Sequence, residues 1–378
     1  MIGNLIQFIQ EKFDSKELIP LHEPRFFSNE QKLVSETIQS TFVSSVGKFV
    51  DQFEDDIARY TKSHKAIAVV NGTSGLHLAL KMAGVEKGDL VLTQAMTFVA
   101  TCNAIKYCNA EPIFIDVDLK TMGLSSSALE NWLDENASID ETGKCVYSLD
   151  GRKIKACVPM HTFGHPVEID KILSICKNWG IKLIEDAAES LGSTYKDKFT
   201  GTFGLMGVLS FNGNKIITTG GGGAILCNSD LYFKGKHLST TAKIQDNIHF
   251  VHDQVGYNYR LPNINAALGC AQLESIESFI AKKRELAHDY ISTFKGSEIH
   301  FFEEPKNCRS NYWLNTIISE DKAHRDNILK LTNQSNIMAR PAWTSMTNLP
   351  MFNQSMKDHQ TNTKWFSERV VNVPSSVI

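Results

Sequence analysis

Three short stretches carry residue types whose spacing suits chemistry. The first is Asn71-Gly72-Thr73-Ser74-Gly75, lying between the apolar run AIAVV (66–70) and the amphipathic run SGLHLALKMAG (74–84). At a helix N-terminus such a turn offers backbone N–H groups and the positive end of the helix dipole, which suit a phosphate. It serves equally well as a plain N-cap, and its spacing matches neither the dinucleotide fingerprint nor the P-loop. The second is Glu185-Asp186-Ala187-Ala188-Glu189, which ends the run IKLIED (181–186). Acids that follow a buried strand are costly without partners. Asp186 therefore binds a metal, pairs within the fold or holds a protonated heterocycle nitrogen; no flanking histidine or cysteine favours the metal. The third is Ser210-Phe211-Asn212-Gly213-Asn214-Lys215, followed by IITT and four glycines at 220–223. Lys215 reads as a solvated loop charge or as an amine held near a ligand. It follows Asp186 by 29 residues (215 − 186). A Schiff-base lysine with an aspartate on a pyridinium nitrogen is what pyridoxal phosphate requires; the spacing is compatible with that use and with others.

Such residues act together only if one sheet brings their strand exits to one edge, where open α/β sheets bind ligands. Seven apolar, β-branched runs predict the strands: AIAVV (66–70), DLVLTQ (89–94), PIFID (112–116), IKACVPM (154–160), IKLIED (181–186), GVLSFN (207–212) and GAILC (223–227). Helical periodicity at 74–84, 98–108, 124–136 and 167–180 falls between many of them. Near-continuous apolar strands separated by amphipathic helices predict a mainly parallel sheet covered on both faces, a three-layer α/β domain. Residues 1–64 read as helices joined by an extended IPLHEPRFF, and GKCVYSLDGRK (143–153) as a hairpin turning at Asp150-Gly151. Residues 264–294 predict one or two long helices, then YWLNTIIS (312–319) and SNIMAR (335–340) predict strands of a smaller α+β unit. The division expected is residues 1–262, N-terminal helices with the large domain, and 263–378, a small C-terminal domain.

Composition narrows the function classes. The chain has 378 residues, 42% hydrophobic and 21% charged, which excludes a largely disordered protein. With 39 basic against 42 acidic residues the formal charge is −3, so a nucleic-acid partner is not expected. No apolar run approaches the roughly 20 residues that span a bilayer, and the N-terminus reads as an amphipathic helix rather than a signal peptide. Eight cysteines form no CxxC pair and have no histidine cluster at zinc spacing, so free thiols, no metal and a cytoplasmic location are expected.

The blocks NGTSGLHLAL, TFVATCNAI, EPIFIDVD, HTFGHP, EDAAESLGS, SFNGNKIITTGGGGAI and GYNYRLPNINAALGCAQLE occur in this order. Together they resemble the DegT/DnrJ/EryC1/StrS family of nucleotide-sugar aminotransferases, from about residue 20 to the closing VNVPSS. IPLHEPRF, TFVSSVGKFVDQFE, VPMHTFGHP and SFNGNKIITTGGGG carry a narrower likeness to aminotransferases of the legionaminic-acid pathway. The resemblance implies a fold-type-I pyridoxal-phosphate enzyme, aspartate-aminotransferase-like, with that cofactor bound covalently to Lys215. Asp186 would hold the ring nitrogen protonated, and Phe98 would stack on the ring, although the residue alone reads as core. Thr73, Ser74 and Ser210 would bind the cofactor phosphate. Asn258 of GYNYR would reach it from the other subunit of a homodimer with shared sites. Glu189, where many relatives have glutamine, would lie near the ring's phenolic oxygen. Arg260 and His161 would contact substrate, a structural role being equally open to each. The implied substrates are L-glutamate and a UDP- or GDP-linked 4-keto-6-deoxy sugar, expected to bear a 2-acetamido group. A dehydratase of the same family is the alternative; those relatives typically replace the lysine, so Lys215 weighs against it. A non-catalytic sugar-nucleotide-binding relative is the other.

Overall fold

A computed structural model describes residues 2–246 and 248–378. Three helices, α1 (Ile2–Lys12), α2 (Glu30–Gln39) and α3 (Lys48–Thr61), precede the first strand, β1 (Lys65–Val69). Then follow α4 (Gly72–Met82), β2 (Leu90–Gln94), α5 (Val99–Tyr107), β3 (Glu111–Ile115), α6 (Ser126–Asn136), β4 (Ile154–Val158), α7 (Ile169–Asn178), β5 (Lys182–Asp186), β6 (Met206–Ser210) and β7 (Gly223–Cys227). The seven strands form one sheet in the order β1-β7-β6-β5-β4-β2-β3. All run the same way except β7, which is antiparallel to both neighbours.

Alternation along the strands divides the core in two. Ile67 and Val69 of β1 face α4, α5 and α8 (Ser229–Ser239), packing with Leu76, Leu80 and Ile105. Ala66 and Ala68 face the other way, onto Phe49, Phe53 and Ile57 of α3 and Ala266, Ala267 and Cys270 of α9 (Asn263–Glu274). At the β3 end that face is covered by Leu129 and Leu133 of α6 and Ile172 and Cys176 of α7. This is the expected three-layer, mainly parallel α/β domain. The stretch 264–294 resolves into two helices, α9 and α10 (Ile276–Thr293), parted at Ser275.

The C-terminal part builds a four-stranded antiparallel sheet from β8 (His300–Phe301), β9 (Asn315–Ile318), β10 (Arg340–Pro341) and β11 (Val370–Val373), flanked by α11 (Lys322–Gln334). Of the expected SNIMAR strand only Arg340 enters it, followed by Pro341 just beyond; Ile337 instead bridges Ile19. A cut after residue 262 is crossed by packing in both directions. Leu5 and Ile9 of α1 lie with Leu286, Tyr290, Ile328 and Val371, because that helix's apolar stripe meets α10 and the small sheet. Beyond the cut, α9 lies in the core of the large sheet. The extended segment between α1 and α2 is strapped to the C-terminal part: Ser375 N–H donates to the Leu21 carbonyl at 2.8 Å, and Glu23 N–H to Ser376 Oγ at 3.0 Å.

In the 143–153 region, Cys145–Tyr147 pairs with Ala137–Ile139, a partner upstream of the expected hairpin. The turn at Asp150-Gly151 is present, with Gly151 at φ +75° and Val146 bridging Lys153. The eight cysteines are free, seven of them buried. Among the described residues no helix is long and apolar enough to cross a membrane.

Candidate active site

The exits of β1, β5 and β6 open on one side of the sheet, as parallel strands require. Gly223 at the start of β7 is in register with both Val69 and Ser210, which draws the ends of β1 and β6 around it. A Cβ on Gly223 would stand 2.8 Å from the Asn71 carbonyl carbon and 2.8 Å from the Leu209 oxygen. A Cβ on Gly72 would stand 3.0 Å from Ser210 Cβ. These glycines therefore let the first turn of α4 lie directly on the sheet. Asn71 caps that turn, its Oδ1 accepting from Ser74 N–H at 2.8 Å. Thr73 and Ser210 face a cavity of about 320 Å³ beside the helix N-terminus. Ser74 belongs to the same turn but lies outside the lining.

Asp186, the last residue of β5, faces the same cavity and is 2% exposed. Its Oδ2 accepts from Thr101 Oγ1 at 2.6 Å and its Oδ1 from Ala188 N–H at 3.1 Å. Burial pushes its pKa above the ordinary carboxylate value, opposed by these hydrogen bonds and by the charges of Lys215 and His161. A protonated ring nitrogen beside it would favour the ionised form.

Lys215 projects into the cavity from the turn after β6, where its N–H bonds the Asn212 carbonyl. Its Nζ lies 3.3 Å from Glu189 Oε1 and 4.1 Å from the centre of the Trp313 ring, with the side chain 11% exposed. The solvated-loop reading is thereby excluded. Trp313 is itself fixed by its Nε1–H donating to the Asn214 carbonyl at 2.7 Å. Glu189 Oε2 accepts from Phe163 N–H at 2.9 Å. Burial lifts the Glu189 carboxyl to about 7, against the pull of Lys215. Phe98 lines the cavity as the N-cap of α5 and is 48% exposed, which rules out a plain core role. Trp343 stands near it, ring centres 6.4 Å apart.

Besides Ser74, three sequence-chosen residues fall outside this lining. His161 is fully buried: its Nε2 lies 3.1 Å from Glu185 Oε2 and its Nδ1 accepts from Val167 N–H at 3.3 Å. Both ring nitrogens are engaged and none of its surface is exposed, which is the arrangement of the structural alternative. Asn258 is exposed and accepts from the Arg260 guanidinium at 3.0 and 3.2 Å. Neither residue lines the cavity of its own chain. Their segment is fixed beside β1 by Arg260 bridging Val69 and by Val70 N–H donating to the Tyr259 carbonyl, and to α4 by His77 Nδ1 against Tyr259 OH at 3.0 Å; within it the Tyr257 and Tyr259 rings stack.

Sequence reading missed Trp313, Trp343 and Thr101. The tryptophans are single residues far along the chain and carry no local signal. Thr101 did carry one: it follows Thr97 by four residues in TFVAT, one helical turn, and the two hydroxyls lie 3.0 Å apart.

The arrangement puts a largely buried amine, a buried carboxylate and an open cradle at a helix N-terminus around one aromatic-walled space. The profile of the DegT/DnrJ/EryC1/StrS aminotransferase family matches residues 25–377. The GDP-perosamine synthase of Escherichia coli O157:H7 is 34% identical, over 94% of this chain and 93% of its own. That of Vibrio cholerae is 33% identical, over 95% of this chain and 94% of its own. Among solved structures, PseC of Helicobacter pylori, an aminotransferase involved in pseudoaminic acid biosynthesis, superposes with TM-score 0.84 at 24% identity, over 95% of this chain and 94% of that one.

Proposed function

The chain belongs to the DegT/DnrJ/EryC1/StrS aminotransferase family and is a pyridoxal-phosphate-dependent sugar aminotransferase; from that premise we propose which reaction it performs. L-Glutamate gives its amino group to C4 of a UDP- or GDP-linked 4-keto-6-deoxy sugar. The products are 2-oxoglutarate and a 4-amino-4,6-dideoxy sugar nucleotide. A 2-acetamido group on the sugar, and use of the product for a nonulosonic acid such as legionaminic acid, extend the same reading. The observation that carries it is the convergence of Lys215, Asp186, Thr73 and Ser210 on one cavity.

The residues present fit the cofactor. Gly72 and Gly223 keep open a cradle that a Cβ would fill, and the α4 N-terminus with Thr73 and Ser210 offers phosphate donors. When bound, pyridoxal phosphate supplies a carbonyl that takes up and returns the amino group, and a ring that accepts electrons as the substrate carbon loses its proton. Asp186 would keep the ring nitrogen protonated, and Phe98 would offer its flat face to the ring. Glu189 and Trp313 hold Lys215 Nζ in place, and Glu189 would face the bound cofactor from there. Lys215, once its amine is free, accepts the proton from the donor's α-carbon and delivers one at the far side of the same three-atom shift. The acceptor sugar then runs the same proton transfers in reverse. Asn258 from a second subunit would complete the phosphate site, which agrees with its exposed position and absence from its own cavity.

Incubating purified protein with glutamate and a panel of UDP- and GDP-linked 4-keto sugars, with product read by mass, tests the proposal. One amino sugar nucleotide should form, borohydride should fix the cofactor to Lys215, and Lys215→Ala should lose both results. Normal turnover by Lys215→Ala would refute the assignment.

A further inference from the structure

Three titratable side chains line the cavity: Asp186, Glu189 and Lys215. Attaching a cofactor to Lys215 moves protons in a fixed order. An ammonium has no lone pair with which to attack a carbonyl carbon, so the amine must first give up a proton. The carbonyl oxygen must later gain protons before it can leave as water. Both transfers need a group within hydrogen-bond reach of the amine.

The surroundings of Lys215 favour its charged form. Its Nζ stands over the Trp313 ring at 4.1 Å, an arrangement that attracts a cation. That ring is fixed, with Nε1–H on the Asn214 carbonyl and the Trp313 carbonyl on wholly buried Lys283, which also donates to the Ser375 carbonyl. Glu189 is the group placed to relieve the amine. Its Oε2 is held by Phe163 N–H at 2.9 Å, while its Oε1 lies 3.3 Å from Lys215 Nζ. Asn311 Nδ2 donates to the Glu189 and Leu191 carbonyls at 3.0 and 2.9 Å, which clamps the main chain beneath the carboxyl. Phe163, itself buried, has a φ of +55°, which a bulky residue rarely adopts. Such strain collects where a site demands one backbone setting, and here the strained residue supplies the N–H that aims Glu189.

Asp186 is unsuited to the task. Its oxygens accept from Thr101 and Ala188 N–H, and among the described residues the ion pair of Lys215 is with Glu189. Burial lifts the Glu189 carboxyl, Lys215 and Phe163 N–H draw it down, and the charge of Asp186 raises it again, leaving it at about 7. A carboxyl so poised takes up and releases a proton near neutrality. Burial also makes the ion pair costly, and passing the proton across removes both charges at once.

We propose that Glu189 carries the proton by which Lys215 forms its bond to the cofactor. The carboxylate takes one proton from the Lys215 ammonium, and Nζ then bonds to the cofactor's carbonyl carbon. The carbon–oxygen bond breaks as the oxygen leaves as water with two hydrogens, one from the nitrogen and one returned by Glu189. The nitrogen keeps the third hydrogen and, now doubly bonded to carbon, the positive charge; Glu189 is a carboxylate again. This rests on Lys215 as the attachment point proposed above.

The test mixes cofactor-free protein with saturating pyridoxal phosphate and follows bond formation by absorbance, the end point being checked by borohydride fixation. Glu189→Gln, first shown to be folded by circular dichroism, should form the bond at least tenfold more slowly than wild type at pH 7. At pH 9.5 the two should agree within threefold, because hydroxide then frees the amine unaided. Affinity for pyridoxine phosphate, which has an alcohol in place of the carbonyl, should stay within twofold. An unchanged rate at pH 7, or a slowing of one size at every pH, would overturn the assignment. So would a loss of pyridoxine phosphate affinity that matches the slowing. Fixation of the cofactor in Lys215→Ala would remove the attachment reading itself, whereas fixation that needs Lys215 but proceeds as fast in Glu189→Gln removes this inference alone.

Discussion

Thr101 donates from Oγ1 to Asp186 Oδ2 at 2.6 Å, and both residues are shut away from solvent. A hydrogen bond to an ionised group contributes about 1.5–3 kcal/mol. This one aims the carboxylate and favours its charged form. Thr101→Val should therefore weaken cofactor binding by roughly 10–100-fold, corresponding to that energy. It should also lower the pH at which the bound cofactor's absorption changes, because a less anionic Asp186 holds the ring proton less firmly. Thr101→Ser should restore both quantities. Cofactor titration with unchanged affinity in Thr101→Val would show that the bond is incidental.

Glu189 predicts a pH dependence of stability in the cofactor-free protein. Its carboxyl titrates near 7 in the fold against an ordinary 4.5. Between those values the native state keeps a proton that the unfolded chain has released. Stability from this group is accordingly present below about 4.5 and lost as pH rises through about 7. The whole effect is roughly 3 kcal/mol at the limit. Glu189→Gln, which keeps an oxygen for Phe163 N–H, should flatten the decline. Calorimetric melting of both proteins from pH 4.5 to 8 measures it; equal slopes would contradict the account.

Two neighbouring glycines should respond differently to the same change. Gly223→Ala drives a methyl group into backbone atoms of Asn71 and Leu209, which cannot swing aside. The expected loss is about 1–3 kcal/mol, as for overpacking elsewhere, with weaker cofactor phosphate binding because the α4 turn must shift. A methyl on Gly221 meets nothing within 4 Å, so Gly221→Ala should melt close to wild type. Equal melting temperatures for the two variants would show that the contact at Gly223 is relaxed at little cost.

The exposed Asn258 predicts complementation between subunits. In a dimer that pairs Lys215→Ala with Asn258→Ala, one site receives both intact residues and the other receives neither. Co-refolding the two inactive variants should recover about a quarter of wild-type activity at random pairing. No recovery would mean that Asn258 serves its own chain.

The large sheet was legible because its strands announce themselves. Buried on both faces, they read as unbroken apolar runs with turn residues at their ends. Lys215, Asp186 and Thr73 were legible for the same reason, since each follows a recognisable strand at short range. The reversed direction of β7 was not legible, because a strand's composition does not record which way its neighbours run. The side walls were hidden too: Trp313 and Trp343 reach the cavity only through the packing of a second sheet. For His161 the motif HTFGHP left a substrate contact and a structural role equally open, because the sequence does not record that Glu185 and Val167 N–H engage its nitrogens. The docking place of α1 was not legible, because its amphipathic stripe shows that it docks but not onto what.

Lys283 reaches across to the Ser375 carbonyl while holding that of Trp313. During synthesis, the sheet, Lys215 and the phosphate cradle can all be complete before residue 375 has left the ribosome. The bond from Lys283 to the Ser375 carbonyl, which joins the tryptophan wall to that segment, cannot form until it has. The finished pocket thus depends on residue 375 as well as on the sheet, and a chain cut short of that residue would hold its amine beside a wall with one tie missing.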